Sequence, residues 1–166
     1  MNIVPLSKEN LEETIKMVNE VFPDDINAEY NPERSFRIAI KFIEEPELLE
    51  NRQMKKIGYW IVLSDEGNEV IGVTGLYRRK NDPSDLVWLG WYCIRSDQRG
   101  NGLGRKLLEW TIEKARSGGY KKFKLYTSEN PNEARAQELY EKLGFKIVDE
   151  EIEEGDYKTL YREKIL

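Results

Sequence analysis

Histidine is absent from the 166-residue chain, and cysteine occurs once, at Cys93. Without histidine, the sequence excludes Ser–His catalytic triads and most zinc sites, because those sites depend on an imidazole ring. A lone cysteine excludes an internal disulfide. Cys93 lies inside an apolar stretch with no histidine to activate it, so the sequence favours a buried, inert thiol over a nucleophile.

Long apolar runs are also absent. Residues 1–16 contain no apolar segment of the kind found in signal peptides, and no stretch approaches the length of a membrane span. Hydrophobic residues make up 39% of the chain and charged residues 34%, which is typical of a globular protein. The length and the absence of a linker predict a single domain over residues 1–166, in a cytoplasmic protein without a membrane partner.

Positive charge is scarcer than negative charge. The chain has 26 Lys and Arg against 31 Asp and Glu, for a net charge of −5. An acidic surface repels nucleic acid and favours cationic partners, amines among them. We therefore expect no nucleic-acid partner.

The most informative stretch covers residues 86–108. An apolar run over residues 86–94 predicts one buried strand. Three alternating glycines follow at Gly100, Gly102 and Gly104, and a helical pattern begins directly after them. Glycine lets the backbone approach a ligand closely, and the unpaired N–H groups of a helix's first turn point at an anion. The stretch therefore predicts a phosphate-binding loop.

The spacing of these residues decides which phosphate ligand fits. A dinucleotide fingerprint, G-x-G-x-x-G, fails because Arg105 stands in place of the third glycine. A P-loop fails because no Ser or Thr follows Gly104 to bind magnesium. The remaining pattern, RGNGLG from Arg99 to Gly104, resembles the R-x-x-G-x-G loop of the GNAT family, the acetyl-CoA-dependent N-acetyltransferases. The alternative is a turn that only joins a strand to a helix.

A second motif follows at the distance that the same family requires. Residues 136–145, AQELYEKLGF, are similar to the family's A-x-x-L-Y-E-K-L-G-F helix. The resemblance covers the chain from about residue 57 to its end, and the front helices more loosely. It implies the GNAT fold.

Periodicity and turn signals predict the order of the elements. They are a strand at residues 3–4, a helix capped by Ser7 and ending before Pro23, a polar turn at 24–31, a helix from Pro32 to Ile43, a loop at 47–56 with or without a helical turn, a hairpin of 57–63 and 70–77, the strand at 86–94, a helix ending at Gly118, a strand at 123–127, a helix at 136–143, and a strand pair at 145–148 and 158–165 around an acidic turn at 150–156. This order predicts an α/β fold with a mixed, mostly antiparallel sheet, a right-handed parallel βαβ crossover and helices on both faces.

The resemblance implies acetyl-CoA as co-substrate, direct transfer to a primary amine of a small molecule or peptide, and no metal. The loop residues that would hold the pyrophosphate are Arg99, Gly100, Asn101, Gly102, Leu103, Gly104 and Arg105. The backbone of Tyr92, Cys93 and Ile94 would pair with the pantetheine arm, and one of their N–H groups would bind the oxyanion. Tyr140 would contact the cofactor and protonate the CoA thiolate.

The sequence allows more than one choice for the cofactor-contacting asparagine, the general base and the role of Tyr140. The family often has asparagine where this chain has Glu133, so the contact to the cofactor arm falls to Asn132 or Asn130, with Asn132 preferred. The general base is Asp85, Glu129, a water chain or a second tyrosine. For Tyr140 the alternative is an aromatic residue that only packs in the core.

The acceptor and the assembly are open too. The aromatic residues Trp88, Trp91, Tyr92 and Tyr126 fall in the central strands, where they form either core or a pocket for an aromatic or cationic acceptor. A non-catalytic acyl-CoA-binding module and a plain interaction domain are the two competing functions. Dimers are common in the family, so a homodimer is one expectation.

Overall fold

The computed structural model describes residues 1–23, 31–49, 54–67, 69–152 and 157–166. Within these residues it has four α-helices and eight strands. The helices are α1 (Leu11–Val21), α2 (Pro32–Glu44), α3 (Leu103–Ser117) and α4 (Ala134–Lys142). The strands are β1 (Asn2–Pro5), β2 (Met54–Leu63), β3 (Val70–Arg79), β4 (Leu86–Leu89), β5 (Cys93–Ile94), β6 (Lys122–Ser128), β7 (Lys146–Ile152) and β8 (Lys158–Ile165). None of the described helices is long and apolar enough to cross a membrane.

The described strands form one mixed sheet in the order β1-β2-β3-β4-β6-β8-β7, and β5 pairs with β3 beside this path. All the pairs are antiparallel except β4 with β6, which is parallel. The predicted mixed sheet and its parallel crossover through α3 are therefore confirmed. The last strand, β8, lies between β6 and β7, which brings the C-terminal strand into the centre of this half of the sheet.

The helices cover the two faces of the sheet. Helices α1 and α2 pack on β2, β3 and β5 through one buried cluster, which includes Phe36, Tyr59 and Val73. Helices α3 and α4 pack on the other face through a second cluster, which includes Leu108 and Phe123. We refer to these as the α1–α2 face and the α3–α4 face.

The predicted strand over residues 86–94 is in fact two strands. β4 ends at Leu89 and the chain bends through Gly90 before β5 begins. The ring of Tyr59 lies beneath this bend, and its hydroxyl hydrogen-bonds the backbone of Trp91. A Cβ at Gly90 would lie 2.9 Å from the Tyr59 hydroxyl oxygen, so the bend needs glycine there. Packing from a distant strand therefore divides a run that looks continuous in the sequence.

The bend separates β5 from β6. β4 pairs with β6 as far as Trp88 and Lys124, whereas β5 pairs with β3. β6 continues to Ser128, paired with β8 on its other side. A gap therefore opens between residues 92–94 and residues 126–128, and we call it the opening.

The structure corrects three further predictions. α1 begins at Leu11, because the Asn10 side chain accepts the Ser7 N–H at 2.8 Å and closes a turn, so Ser7 is not the N-cap. Ile43 continues the apolar spacing of Phe36, Ala39 and Ile40, which predicts a buried side chain, but it is 65% exposed because it lies in the last turn of α2, beyond the buried part of that helix. β7 continues to Ile152, since Glu150 and Glu151 pair with β8.

Parts of the predicted turns and loop lie outside the described residues. They are residues 24–30, 50–53, 68 and 153–156. The loop predicted before the hairpin is a short 3-10 turn at Pro46–Leu49, and β2 begins at Met54, three residues earlier than predicted.

Candidate functional site

The glycine loop adopts a backbone that other residues avoid. Gly100 and Gly102 have φ values of 89° and 75°, in the left-handed region. A Cβ built on either residue meets no atom within 4 Å, so the space in front of the loop is open. The backbone conformation therefore requires glycine at both positions, and the loop presents its amides to solvent.

Helix α3 begins at this loop without a cap. Gly102 is the N-cap residue, it has no side chain to accept a hydrogen bond, and the first turn contains no acidic residue. The first intrahelical bond runs from the Lys106 N–H to the Gly102 carbonyl at 3.1 Å. The amides of Leu103, Gly104 and Arg105 precede that bond. These N–H donors and the positive end of the helix dipole form a site for an anion.

Gly104 has a different task from the other two loop glycines. The Tyr92 hydroxyl donates a hydrogen bond to the Gly104 carbonyl at 2.7 Å. A Cβ at Gly104 would lie 3.1 Å from that hydroxyl oxygen. Gly104 therefore lets the start of α3 contact Tyr92, which fixes the loop against the bend before β5.

The backbone of Ile94 faces the opening. The Arg95 N–H donates to the Ile71 carbonyl at 2.9 Å, and Ile94 lies opposite Gly72 in the antiparallel ladder. This register makes Ile94 a non-hydrogen-bonded position relative to β3. Its N–H and C=O therefore point away from β3, in the direction of the opening.

The other backbone groups near Ile94 are already engaged. The Arg99 Nε donates to the Ile94 carbonyl at 2.9 Å, so the Arg99 side chain folds back onto β5. Cys93 lies opposite Val73, and the same register directs its backbone groups at β3. Of the two residues of β5, Ile94 is the one that presents a backbone N–H to the opening by this register.

Tyr140 lies in the same neighbourhood as Tyr92 and Cys93. Its ring centroid is 6.4 Å from that of Tyr92 and 5.9 Å from that of Phe145, and 5% of the residue is exposed. Burial raises the pKa of Tyr140 well above its ordinary value, the charge of Glu133 raises it further, and Arg162 opposes both. Tyr140 is therefore a neutral phenol at physiological pH.

The single thiol is buried beside these tyrosines. Cys93 is 6% exposed, and burial raises its pKa from 9.0 to about 12, with a smaller opposing effect of Arg99. A thiol with such a pKa carries almost no thiolate at neutral pH, and the thiolate is the nucleophilic form. The structure therefore agrees with an inert Cys93.

Two buried polar residues near Tyr140 and the opening were not identified from the sequence. Arg162 on β8 is 2% exposed and donates to Glu141 and Gln137 on α4, while its Nε has no partner in the described part of the chain. The buried Thr127 hydroxyl, on β6 beside the opening, likewise lacks one. The alternation Leu160–Arg162 along β8 was the available signal, because it places Arg162 on a buried face.

The asparagines lie in the connection between β6 and α4. The Asn130 side chain accepts the Asn132 N–H at 2.9 Å and caps a short turn, and Asn132 is exposed. Glu133, where the family often has asparagine, accepts the Ser128 N–H at 3.2 Å and the Ser128 hydroxyl. Asn130 and Glu133 thus fix this connection from within.

The candidate bases fall at opposite ends of the sheet. Asp85 precedes β4, and its carbonyl accepts the N–H groups of Lys121 and Lys122. Four residues of strand, about 13 Å, separate it from Leu89, where the opening begins. Asp85 is therefore not near the expected site, contrary to the sequence prediction. Glu129 follows β6 at the open end and is exposed.

The predicted aromatic cluster is divided between the two faces. The Trp91 ring lies 5.3 Å from Phe22, and its indole N–H donates to Ser35 on the α1–α2 face. Tyr92 packs with the residues of the α3–α4 face. Alternate residues of a strand point to opposite faces, so only some of the four residues can line one pocket.

Comparison with known proteins assigns the family. The model of the acetyltransferase (GNAT) family matches residues 17–145. The chain belongs to the GNAT family. It is 36% identical over 91 residues to the uncharacterized N-acetyltransferase YjgM of Escherichia coli (strain K12), a match that covers 55% of this chain and 52% of that protein. The chain thus matches about half the length of that curated relative.

Solved structures agree with the GNAT fold. The structure of yncA from Salmonella typhimurium, which contains its cofactor acetyl-CoA, superposes with a TM-score of 0.71 at 18% identity over 99% of this chain and 92% of that one. Ribosomal-protein-alanine N-acetyltransferase from Brucella melitensis superposes with a TM-score of 0.70 at 20% identity over 100% of each chain. At such identities the likeness establishes the fold, and the predicted GNAT fold is confirmed.

Proposed function

We propose that the protein is an acetyl-CoA-dependent N-acetyltransferase that transfers the acetyl group directly to a primary amine of a small molecule or peptide. The observation that carries the proposal is the uncapped start of α3, with its amides unpaired, beside the opening between β5 and β6. An elongated ligand with an anionic end fits this pair of features. Acetyl-CoA has that shape and charge.

The loop would hold the pyrophosphate. The amides of Leu103, Gly104 and Arg105 are the unpaired donors of the helix start, and the open space at Gly100 and Gly102 leaves room for an anion. Asn101 lies between these two glycines. The cations of Arg99 and Arg105 favour a ligand with two negative charges, though Arg105 also pairs with Glu109 at 2.8 Å.

The opening would hold the pantetheine arm. The Ile94 N–H is positioned to pair with an extended ligand as a neighbouring strand would. Tyr92, Cys93 and Asn132 are assigned to the same arm by the family resemblance. A backbone N–H of this stretch would also stabilise the oxyanion, a role worth about 3 kcal/mol where such a donor has been removed from an enzyme.

Bound acetyl-CoA would supply an activated thioester. The amine forms a C–N bond as the C–S bond breaks, so the amine must lose a proton and the sulfur must gain one. Tyr140 is our candidate proton donor to the sulfur, because the family resemblance assigns it this role and its phenol, packed against Tyr92, carries a proton at physiological pH. Its raised pKa makes it a weak acid, so we expect a modest contribution. For the base we propose water or Glu129 at the open end of β6.

A non-catalytic acyl-CoA-binding module would share the loop and the opening. Thiol release from acetyl-CoA, measured across a panel of primary amines, separates the two functions. An N-acetyltransferase releases CoA only when an acceptor is present, and the acetylated amine accumulates in equal amount. Binding of acetyl-CoA without amine-dependent release from any acceptor would contradict the proposal.

A further inference from the structure

A row of aromatic rings crosses the α1–α2 face beside the opening. Tyr77 on β3 and Trp88 on β4 lie opposite each other, with stacked rings 6.2 Å apart. Tyr161 on β8 lies 6.3 Å from Trp88, and Tyr126 on β6 lies 6.1 Å from Tyr161. We call these four residues the aromatic row. The buried cluster beneath α1 and α2 contains no residue of β4, β6 or β8 among those described, so other side chains cover this part of the sheet. Trp88 is 6% exposed, because Arg79 and Lys124 lie over its ring, whereas Tyr126 is 53% exposed.

The row reaches the opening. The last registered pair between β4 and β6 is Trp88 with Lys124. Tyr126 lies two residues further along β6, about 7 Å beyond that pair, and it is 53% exposed. A molecule lying on the aromatic row therefore has one end at the opening, where the proposed acetyl transfer takes place.

Arg79 lies over this row. Its guanidinium carbon is 4.6 Å from the centroid of the Trp88 ring, and the guanidinium hydrogen-bonds the Tyr77 hydroxyl. Tyr126 is also near enough to interact with its charge. Among the described residues, no carboxylate forms an ion pair with the guanidinium within 4.0 Å, and the nearest acidic influence on its charge is that of Asp82.

The other charged groups around the row are already engaged. Asp82 accepts the Arg79 backbone N–H at 2.6 Å and the Trp88 indole N–H at 3.1 Å. Lys124 pairs with Glu163 at 3.6 Å, and Glu151 accepts the Tyr161 hydroxyl at 2.8 Å. Arg79 is therefore the cation of this surface that meets a ligand without first breaking an ion pair in the described residues.

We propose that Arg79 binds the carboxylate of the acceptor, which makes the acceptor an amine that also carries a carboxylate, such as an amino acid. This inference rests on the proposed function. Guanidinium groups bind carboxylates through two parallel N–H···O bonds, and the contact with the Trp88 ring restricts the motion of the Arg79 side chain. By the register of β3 with β4, the Arg79 backbone lies at the level of Leu86, and its side chain reaches back over Trp88, near the end of β4. The amine would lie further along the row, at the opening. A polyamine would instead bring a second cation against Arg79 and Lys124.

Matched acceptors test the inference. Thiol release from acetyl-CoA is measured with amino acids, with their carboxamides and with spermidine. We expect kcat/KM for the best amino acid to exceed that of its carboxamide at least tenfold. In Arg79→Gln, we expect kcat/KM for the amino acid to fall to that of the carboxamide, while kcat/KM for the carboxamide changes less than twofold. Arg79→Lys should restore part of the preference for the amino acid. Arg116→Gln, which removes an exposed arginine at the far end of α3, leaves the ratio unchanged and is the control.

Equal rates for amino acids and carboxamides, a preference for spermidine, or an unchanged ratio in Arg79→Gln would overturn the inference while leaving the transferase intact. The proposed function fails differently, since no amine then releases CoA. In that case, calorimetry measures whether amino acids bind to the CoA-loaded protein and whether that binding depends on Arg79. Binding that Arg79→Gln abolishes supports the carboxylate site, and absence of binding refutes it.

Discussion

At the scale of single residues, Tyr140 combines a buried ring with a hydroxyl that we propose as a proton donor. The ring packs with Tyr92 and Phe145, and the pKa of the phenol is raised by burial. A core residue needs only the ring, whereas a proton donor needs the hydroxyl. Removal of the hydroxyl alone therefore separates the two roles.

We expect Tyr140→Phe to lower turnover about ten- to a hundredfold. This is the low end of the usual range for general acid catalysis, because a thiolate is already a fairly stable leaving group. The affinity for acetyl-CoA should change little, as it does when an interaction is made mainly in the transition state. Steady-state kinetics and circular dichroism on the variant are the measurements, and turnover within twofold of the parent would leave Tyr140 with a packing role only.

Cys93 gives a prediction about stability and pH. Its pKa is about 12 in the folded protein and near 9.0 when exposed, so above pH 9 the unfolded chain loses the thiol proton first. The unfolded state then binds fewer protons, and the free energy of unfolding falls as the pH rises from 9 to 12. By pH 10 the loss from this thiol is about 1.4 kcal/mol.

Urea unfolding at pH 8 and pH 10 measures this loss. The decrease in stability between the two pH values should be smaller in Cys93→Ala than in the parent by that amount, even though the variant also loses some packing. Equal decreases in both proteins would show that the thiol is not protected as the structure indicates. The variant should also keep most of the transferase activity.

At the scale of elements, the start of α3 is the feature on which the proposed binding of acetyl-CoA depends. Its amides are unpaired because glycine at the N-cap offers no acceptor, and its orientation is fixed by the contact between Tyr92 and Gly104. The opening exists because β5 follows β3 while β6 follows β8. The glycine loop and the opening thus have separate structural causes, and they lie next to each other at Ile94.

We expect Gly102→Asp to weaken acetyl-CoA and CoA alike by at least tenfold, because it adds negative charge and backbone strain where the shared pyrophosphate would bind. Gly67→Asp is the matched control. Gly67 has a φ of 76° against 75° at Gly102, also with open space in front of it, but it lies in the turn after β2. Calorimetry showing an equal effect of both substitutions, or none at Gly102, would contradict the loop assignment.

Gly104→Ala should act through Tyr92 rather than through space at the loop. The new Cβ lies 3.1 Å from the Tyr92 hydroxyl and must displace it or shift α3. We expect a lower melting temperature together with weaker acetyl-CoA binding, whereas Gly102→Asp should mainly affect binding. Thermal melting with and without CoA separates the two effects. An unchanged melting temperature in Gly104→Ala would show that Tyr92 does not hold the helix start.

The elements that the sequence predicted well are those with local causes. The glycine loop was predictable because a left-handed backbone needs glycine at Gly100 and Gly102, and the end of α3 because Gly118 and Gly119 follow it. The division of the strand over residues 86–94 was not, because it depends on Tyr59, some thirty residues earlier. Arg162 was missed for the same reason, since its partners Glu141 and Gln137 lie on α4.

At the scale of the whole molecule, the proposed donor site and the proposed acceptor site lie on different faces of the sheet. The α3–α4 face carries the anion site and Tyr140, and the α1–α2 face carries the aromatic row and Arg79. The opening connects the two faces at the bend after β4. In this proposed arrangement the acetyl donor and the acceptor would approach from opposite sides of the sheet, which suits direct transfer without a covalent enzyme intermediate.

The central claim is tested most directly by a single-turnover experiment. Protein in excess is mixed with acetyl-CoA, with and without an acceptor amine, and the quenched mixtures are analysed by mass spectrometry. Direct transfer predicts that acetyl-CoA persists without amine, that the protein mass does not change, and that acetylated amine and CoA form in equal amounts once amine is added. An acetylated protein that forms before amine is added and then passes its acetyl group to the amine would contradict the account.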